Sequence, residues 1–398
     1  MSKLSDRINK MSESATLAMA RLSRELKEQG KDVITLSLGE PDFDTPDFIK
    51  NAAKKAVDDN FSHYTPVPGL PELRDSIVKK FQRDNDLSYS RDQIVVSTGA
   101  KQSLANVCLS LLNPEDEVLL PCPYWVSYSD MIKLAEAKPV KILSSIEKDF
   151  KVTVSQIEKA ITPKTKMLIF SSPCNPSGTV YSRRELESIA KMLEKYPNIY
   201  VVADEIYEHI NFDEKHFSIG SIASMKEKTI TVNGVSKGFA MTGWRVGFIG
   251  APQWIANACN KIQGQVTSAT CAIAQKATQE AMLSDPRTTT KKMRDTFLKR
   301  RDLVVKLIKE IPNIKCNLPK GAFYVFPDVS FYFGKKNNNN IIKNADDLCM
   351  YLLNNAFVAC VSGSAFGNDN CIRISYATSE NILIEGFNRI KNQLEQLS

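Results

Sequence analysis

The chain has 398 residues, more than one average domain needs, and its 43% hydrophobic and 24% charged composition is that of a folded protein rather than a disordered one. A net charge of +7 with both signs interspersed and no basic block argues against nucleic-acid binding, and no run approaches the ~20 apolar residues of a membrane helix. Nine cysteines scattered singly, with no zinc-ligand spacing and no clean apolar leader, point to a reducing, cytoplasmic setting.

The first thirteen residues read as an arm. A helix is expected from about Ser14, with Leu17, Met19, Ala20 and Leu22 on its apolar face and Gly30 past its end. Val33 to Leu38 alternate as a strand before the turn residues of LGEPDFDTP, where Thr45-Pro46 reads as an N-cap with Pro at the first helical position. Pro71 opens the next helix, with Leu73, Ile77 and Phe81 inward. From residue 93 short apolar strands alternate with helices: Ile94–Ser97, Glu117–Leu120, Met167–Phe170, Tyr200–Ala203, Thr229–Val232 and Val246–Ile249. That pattern predicts an α/β fold whose mostly parallel sheet is covered by helices on both faces. Helical periodicity dominates 253–310, and a smaller α+β domain follows, with strands at Ala322–Phe326, Phe357–Val361 and Cys371–Tyr376. Within it the Asn-rich stretch 334–344 offers a core nothing and is expected to be an exposed loop.

In an open α/β sheet, ligands bind at the carboxyl ends of the strands, and several chemically capable residues fall there. Lys237, in VSKGFAMTGWRVG, can present an amine for a Schiff base; taken by itself, a solvated surface lysine is the expected reading, and the residues around it overturn that. Asp204 and Tyr207 end the preceding strand in ADEIYE, where a carboxylate can hold a protonated pyridine nitrogen or merely cap a helix. Asn175, between the prolines of SSPCNPSG, offers an amide in a stiff turn. Gly99 and Ala100 in STGAKQS allow close backbone approach, and the helix starting near Lys101 offers free N–H groups to a phosphate, to which Ser236 and Arg245 can add a hydroxyl and a guanidinium. Neither a Walker A loop nor a GxGxxG fingerprint is present, so a nucleotide site is not expected. Trp125 can stack on a flat ring or fill a core, and Arg373, inside an apolar strand, requires a partner or a ligand carboxylate. His63, His209 and His216 make no metal-ligand spacing, and no metal is expected.

Taken in order, LGEPDFDTP, YTPVPGLPELR, STGAKQS, PYWVSY, SSPCNPSG, ADEIYE, VSKGFAMTGWRVG and RISYATS resemble the class I and II (aspartate/tyrosine family) aminotransferases, and most closely their bacterial aspartate and prephenate subgroup. The resemblance covers essentially the whole chain. It implies the fold type I architecture of pyridoxal 5′-phosphate enzymes, with an N-terminal arm and part of the small domain in 1–45, a cofactor-binding large domain in 46–300 and a small domain in 301–398. It further implies that Lys237 carries the cofactor and then serves as base and acid, that Asp204 pairs with the ring nitrogen, and that Asn175 and Tyr207 contact the ring oxygen. Trp125 is then the stacking residue, Ala100, Lys101, Ser236 and Arg245 the phosphate side, and Tyr64 a phosphate contact across a homodimer interface. Arg373 is left to clamp the substrate α-carboxylate, with Asn175, Trp125 and the backbone of Gly39 nearby.

On this reading the chain moves an amino group between an L-amino acid, aspartate or glutamate first, and 2-oxoglutarate or oxaloacetate by a ping-pong route. The alternatives are an aromatic or prephenate aminotransferase, then a carbon–sulfur lyase using the same cofactor. One departure bears on this choice. Where bacterial relatives commonly carry a Lys-Pro pair in the arm, this chain has Ser12-Glu13, so Lys10 or Arg7 is left to meet a distal carboxylate.

Overall fold

The computed structural model describes residues 4–213, 215–337 and 340–398. Its main sheet has seven strands in the spatial order Ile94–Ser97, Gly247–Gly250, Thr229–Gly234, Tyr200–Asp204, Thr165–Ser171, Glu117–Pro121 and Lys138–Ile142. Only Gly247–Gly250 runs antiparallel to its neighbours. Alternate side chains leave the sheet on opposite faces: Val118, Leu120, Met167 and Ile169 enter one apolar cluster, while Leu119, Leu168 and Phe170 enter another. Both faces therefore need helical cover, which is why these strands read as continuous apolar runs.

The sequence pattern does not predict Lys138–Ile142. It is the edge strand, and its Lys-Pro-Val-Lys-Ile composition suits an edge, where proline removes no needed hydrogen bond and lysines discourage further pairing.

A second core gathers the C-terminal part with Met19, Val33, Ile34 and Leu36 from the N-terminal segment. Ile34–Thr35 pairs in parallel with Val358–Ala359, and Tyr324–Val325, Val361–Ser362 and Ile372–Ser375 form a three-stranded antiparallel sheet. The Lys291–Lys309 helix runs unbroken through residue 300 and buries Met293, Phe297, Val304 and Ile308 in this same core.

Some local expectations are corrected. The Ala15–Glu28 helix buries Met19 but leaves Leu17 exposed, at the edge of the cavity described below. The helix after Thr45 spans Asp47–Asp58 with Pro46 at its N-cap. Thr45 is not the cap because its hydroxyl donates to Ala240 O at 2.8 Å and accepts the Trp244 indole N–H at 3.1 Å. In the Asn-rich stretch, Lys336–Asn337 pairs with Asn340–Ile341, and Ile342 is buried, so this segment is not a bare loop. Asn338 and Asn339 lie outside the described residues. Among the described residues no helix is long and apolar enough to cross a membrane.

Candidate active site

The carboxyl ends of five parallel strands and the amino end of the antiparallel one meet at the same edge of the sheet. There they open onto a cavity of about 290 Å³. Eleven of the twelve residues singled out from sequence line it: Gly39, Ala100, Lys101, Trp125, Asn175, Asp204, Tyr207, Ser236, Lys237, Arg245 and Arg373. Tyr64 does not. It is almost wholly exposed and borders a separate shallow hollow with Phe61 and Cys271.

Lys237 follows the Thr229–Gly234 strand, and its ammonium donates to Gly39 O at 2.5 Å. Burial pushes its pKa down to about 8; Glu40 opposes that shift, while Arg373 and Arg245 add to it. Asp204, the last residue of its strand, is buried, and the Tyr128 hydroxyl donates to its Oδ2 at 2.7 Å while the Ile206 N–H donates to Oδ1 at 3.2 Å. Burial pushes this carboxyl up to about 6 against the pull of those two donors. A cationic partner at that carboxylate is thus electrostatically wanted.

One end of the cavity is made for an anion. The twelve-residue helix Ala100–Leu111 begins there, behind Gly99 at φ +83°. A Cβ at Gly99 would stand 2.3 Å from Arg245 Nη2, so only glycine lets the guanidinium lie against this turn. Arg245 Nη1 is steadied by the Thr242 carbonyl at 2.7 Å, and Lys101 Nζ sits 5.1 Å from the centre of the Trp125 ring. Burial, then Arg245, lowers the pKa of Lys101.

Arg373 closes the other side. Its Nη1 donates to Asn175 Oδ1 at 2.9 Å and its Nη2 to Ser37 O at 2.6 Å, while its guanidinium lies 4.6 Å from the Tyr324 ring. The side chain is buried, and Nη1, with one N–H spent on Asn175, keeps a second for a ligand carboxylate.

Sequence reasoning missed Tyr128, Tyr324 and Thr16. Tyr128 follows Trp125 by one helical turn, which was a usable signal. Tyr324 looks like core in GAFYVF, yet its hydroxyl meets that of Tyr207 at 2.8 Å. Thr16 Oγ1 lies 3.5 Å from Arg373 Nη2, bringing the N-terminal helix to the cavity through hydroxyls. Arg7 and Lys10 are exposed and do not line it, and Glu13 faces Arg21 at 3.8 Å.

A buried carboxylate, a lysine of depressed pKa, an aromatic wall and an anion cradle fit pyridoxal 5′-phosphate part by part, and with this fold they define a fold type I pyridoxal-phosphate enzyme. Residues 31–390 match the family model for aminotransferase class I and II. A probable aspartate/prephenate aminotransferase of Rickettsia felis is 45% identical, over 100% of this chain and 98% of its own. The aspartate/prephenate aminotransferase of Cereibacter sphaeroides is 44% identical, over 98% of both chains. Among solved structures, the aspartate aminotransferase of Rhizobium meliloti superposes with TM-score 0.96 at 41% identity over 100% of each chain. That of Thermus thermophilus with maleate gives 0.93 at 38% identity, covering 99% of this chain and 100% of that one. The chain belongs to the class I and II aminotransferases. It is a pyridoxal-phosphate-dependent aminotransferase, moving amino groups between amino acids and 2-oxo acids.

Proposed function

We propose that the amino acid and oxo acid are dicarboxylic: aspartate or glutamate as donor, 2-oxoglutarate or oxaloacetate as acceptor. The observation that carries this reading is the whole-length likeness to relatives whose named activity is aspartate/prephenate aminotransfer, with Arg373 in the cavity as the clamp for the α-carboxylate that every donor shares. Those relatives, from Rickettsia felis and Cereibacter sphaeroides, also bring prephenate in as a second acceptor. The arm offers the cavity Ser14 and Thr16 rather than Lys10 or Arg7.

Pyridoxal phosphate, when bound, supplies an aldehyde for the substrate amine and a ring that draws electrons from the substrate Cα. Lys237 Nζ would hold the cofactor, then take the proton from the donor Cα as base and hand it on as the acid of a 1,3-proton shift. Asp204, kept in place by Tyr128, pairs with the ring nitrogen, while Asn175 and Tyr207 meet the ring oxygen. Ala100, Lys101, Ser236 and Arg245 hold the phosphate, and Trp125 covers the ring. Arg373, set by Asn175 and Ser37 O, fixes the α-carboxylate, with Gly39 alongside. The cofactor domain begins at 46 and ends before the Lys291–Lys309 helix, whose Met293 and Phe297 pack in the second core, so the boundary falls near 290 rather than 300; 1–45 and the C-terminal part close over it and exclude water. A homodimer, in which Tyr64 of each chain reaches the other's phosphate, completes the site. Nine free thiols, seven of them buried, suit the cytoplasm.

The test is a panel of half-reactions on the cofactor-loaded enzyme, with aspartate, glutamate, phenylalanine, tyrosine and alanine as donors and oxaloacetate, 2-oxoglutarate, phenylpyruvate and prephenate as acceptors. Aspartate or glutamate is expected to lead. Arg373→Lys, which loses the planar fork, should raise donor KM ~10–100-fold with cofactor affinity unchanged. Preference for an uncharged donor, or pyruvate and ammonia as products, would overturn the reading.

A further inference from the structure

Behind the strand end that carries Asp204 and Tyr207 lies a second polar cluster, facing away from the cavity. The chain alternates there. Asp204 and Tyr207 line the cavity, while Glu205 and Glu208 point into a buried space between the Pro71–Asn85 helix and the segment around Ser218.

Glu208 Oε1 makes an ion pair with Lys80, whose ammonium also donates to Asn85 Oδ1 at 2.5 Å and stands 4.0 Å from Asp84. Glu205 Oε2 lies 3.0 Å from His216 Nε2 and accepts the Ser218 hydroxyl at 2.6 Å. The Asn85 amide joins the two halves, donating to Glu208 Oε2 at 2.6 Å and Glu205 Oε2 at 3.1 Å. His209 Nε2 approaches Glu208 Oε1 at 3.2 Å. Lys80, Asn85, Glu205, Glu208 and Ser218 are all buried.

Two carboxylates in so little space need two positive charges. Burial works against ionised Glu208, yet Lys80 and the neighbouring imidazoles hold its carboxyl well below the usual range. Burial likewise opposes a charged His216, but the Glu205 carboxylate raises its pKa above the ordinary value, whereas burial pushes His209 down. With His216 protonated, the charges of Lys80, Glu208, Glu205 and His216 cancel, and the nearby Asp84 is paired with Arg83 at 2.6 Å. Glu205, Glu208 and His216 do bring three ligand atoms within 4.8 Å of one another, but the ammonium of Lys80 already occupies Glu208, which marks the cluster as ion pairs rather than a metal site.

Buried pairs of this kind add little net stability over apolar packing of equal volume, while losing one partner leaves an uncompensated charge. Here that charge would sit on Glu205 or Glu208, in the segment that carries Asp204 and Tyr207.

We propose that Lys80, Glu205, Glu208 and His216, joined through Asn85, are positioning residues of the active site: they fix the outer face of the 204–208 segment and keep the field behind Asp204 neutral. The inference rests on Lys237 and Asp204 being the cofactor's partners.

The experiment is a pH titration of the visible absorption of lysine-bound pyridoxal 5′-phosphate in wild type, Lys80→Met, Glu208→Gln and the double variant. The affinity of each apoprotein for the cofactor is measured alongside. Lys80→Met, leaving Glu208 unpaired, should raise the spectral midpoint by about half a unit or more, because negative charge favours the protonated form. Glu208→Gln should lower it, and the double variant should return it toward wild type. If Lys80→Met fails to fold, the remaining two variants still carry opposite expectations: a shift for one and none for the other. Variants that melt earlier but titrate and bind cofactor like wild type would reduce the network to scaffolding and sink the inference alone. A wild type with no lysine-bound band would instead overturn the cofactor reading, and this inference with it.

Discussion

Lys237, the proposed cofactor lysine, shows how much of a side chain's character is environmental. In water its amine would be almost fully protonated near neutrality; buried beside Arg373 and Arg245 its pKa falls to about 8. Only the neutral amine attacks an aldehyde. The rate at which apoprotein captures pyridoxal phosphate should therefore climb with pH, bend near 8 and level off above it. Stopped-flow absorbance reads this directly. A rate still climbing toward pH 10 would mean that the lysine keeps its ordinary pKa, and Lys237→Ala should form no such band at all. Asp204 is the complement. The same burial that lowers the lysine raises this carboxyl to about 6, so a cation placed against it is stabilised.

At the scale of elements, the segment after the Ile34–Thr35 strand crosses the cavity. Gly39 O takes the Lys237 amine, Glu40 meets Thr242, and Asp42 makes a two-bonded pair with Arg300 at 2.6 and 2.8 Å. Through Arg300 the Lys291–Lys309 helix thus anchors a segment that has no regular secondary structure of its own. Arg300→Met should cost about 1 kcal/mol, since Asp42 is partly solvated, seen as a lower urea midpoint. If the anchor also sets Gly39, donor KM should rise while the cofactor spectrum stays put; an unchanged KM would confine the pair to stability. The pattern of strands was legible here and its ends less so. Thr45 looks like a cap in one dimension and becomes a strut to Ala240 and Trp244 in three.

For the whole molecule, the decisive residue is Tyr64, which touches nothing in the cavity of its own chain and lies almost fully exposed. In the proposed homodimer it belongs to the other subunit's site. Lys237→Ala and Tyr64→Ala proteins, each impaired alone, should then regain up to about a quarter of native activity when mixed under exchange conditions, because half the dimers are mixed and each holds one intact site. No recovery, with mixed dimers verified by mass, would place Tyr64 outside the active site.

The order of strands and helices, the sheet covered on both faces, and the members of the cavity were readable from sequence because each has a local cause: short continuous apolar runs, a glycine before a helix, polar residues clustered at strand ends. Other features depend on contacts between residues far apart in the chain. Tyr128 reaches Asp204 across 76 positions, Tyr324 reaches Tyr207 across 117, and Asn85 reaches Glu205 across 120. The arm's exposed Lys10 and the inward Thr16 were likewise sorted only by where the first helix docks. Sequence determined which chemistry the chain carries. The tertiary structure decided how each group is charged and held, because burial and partner distance exist only once distant segments are packed together.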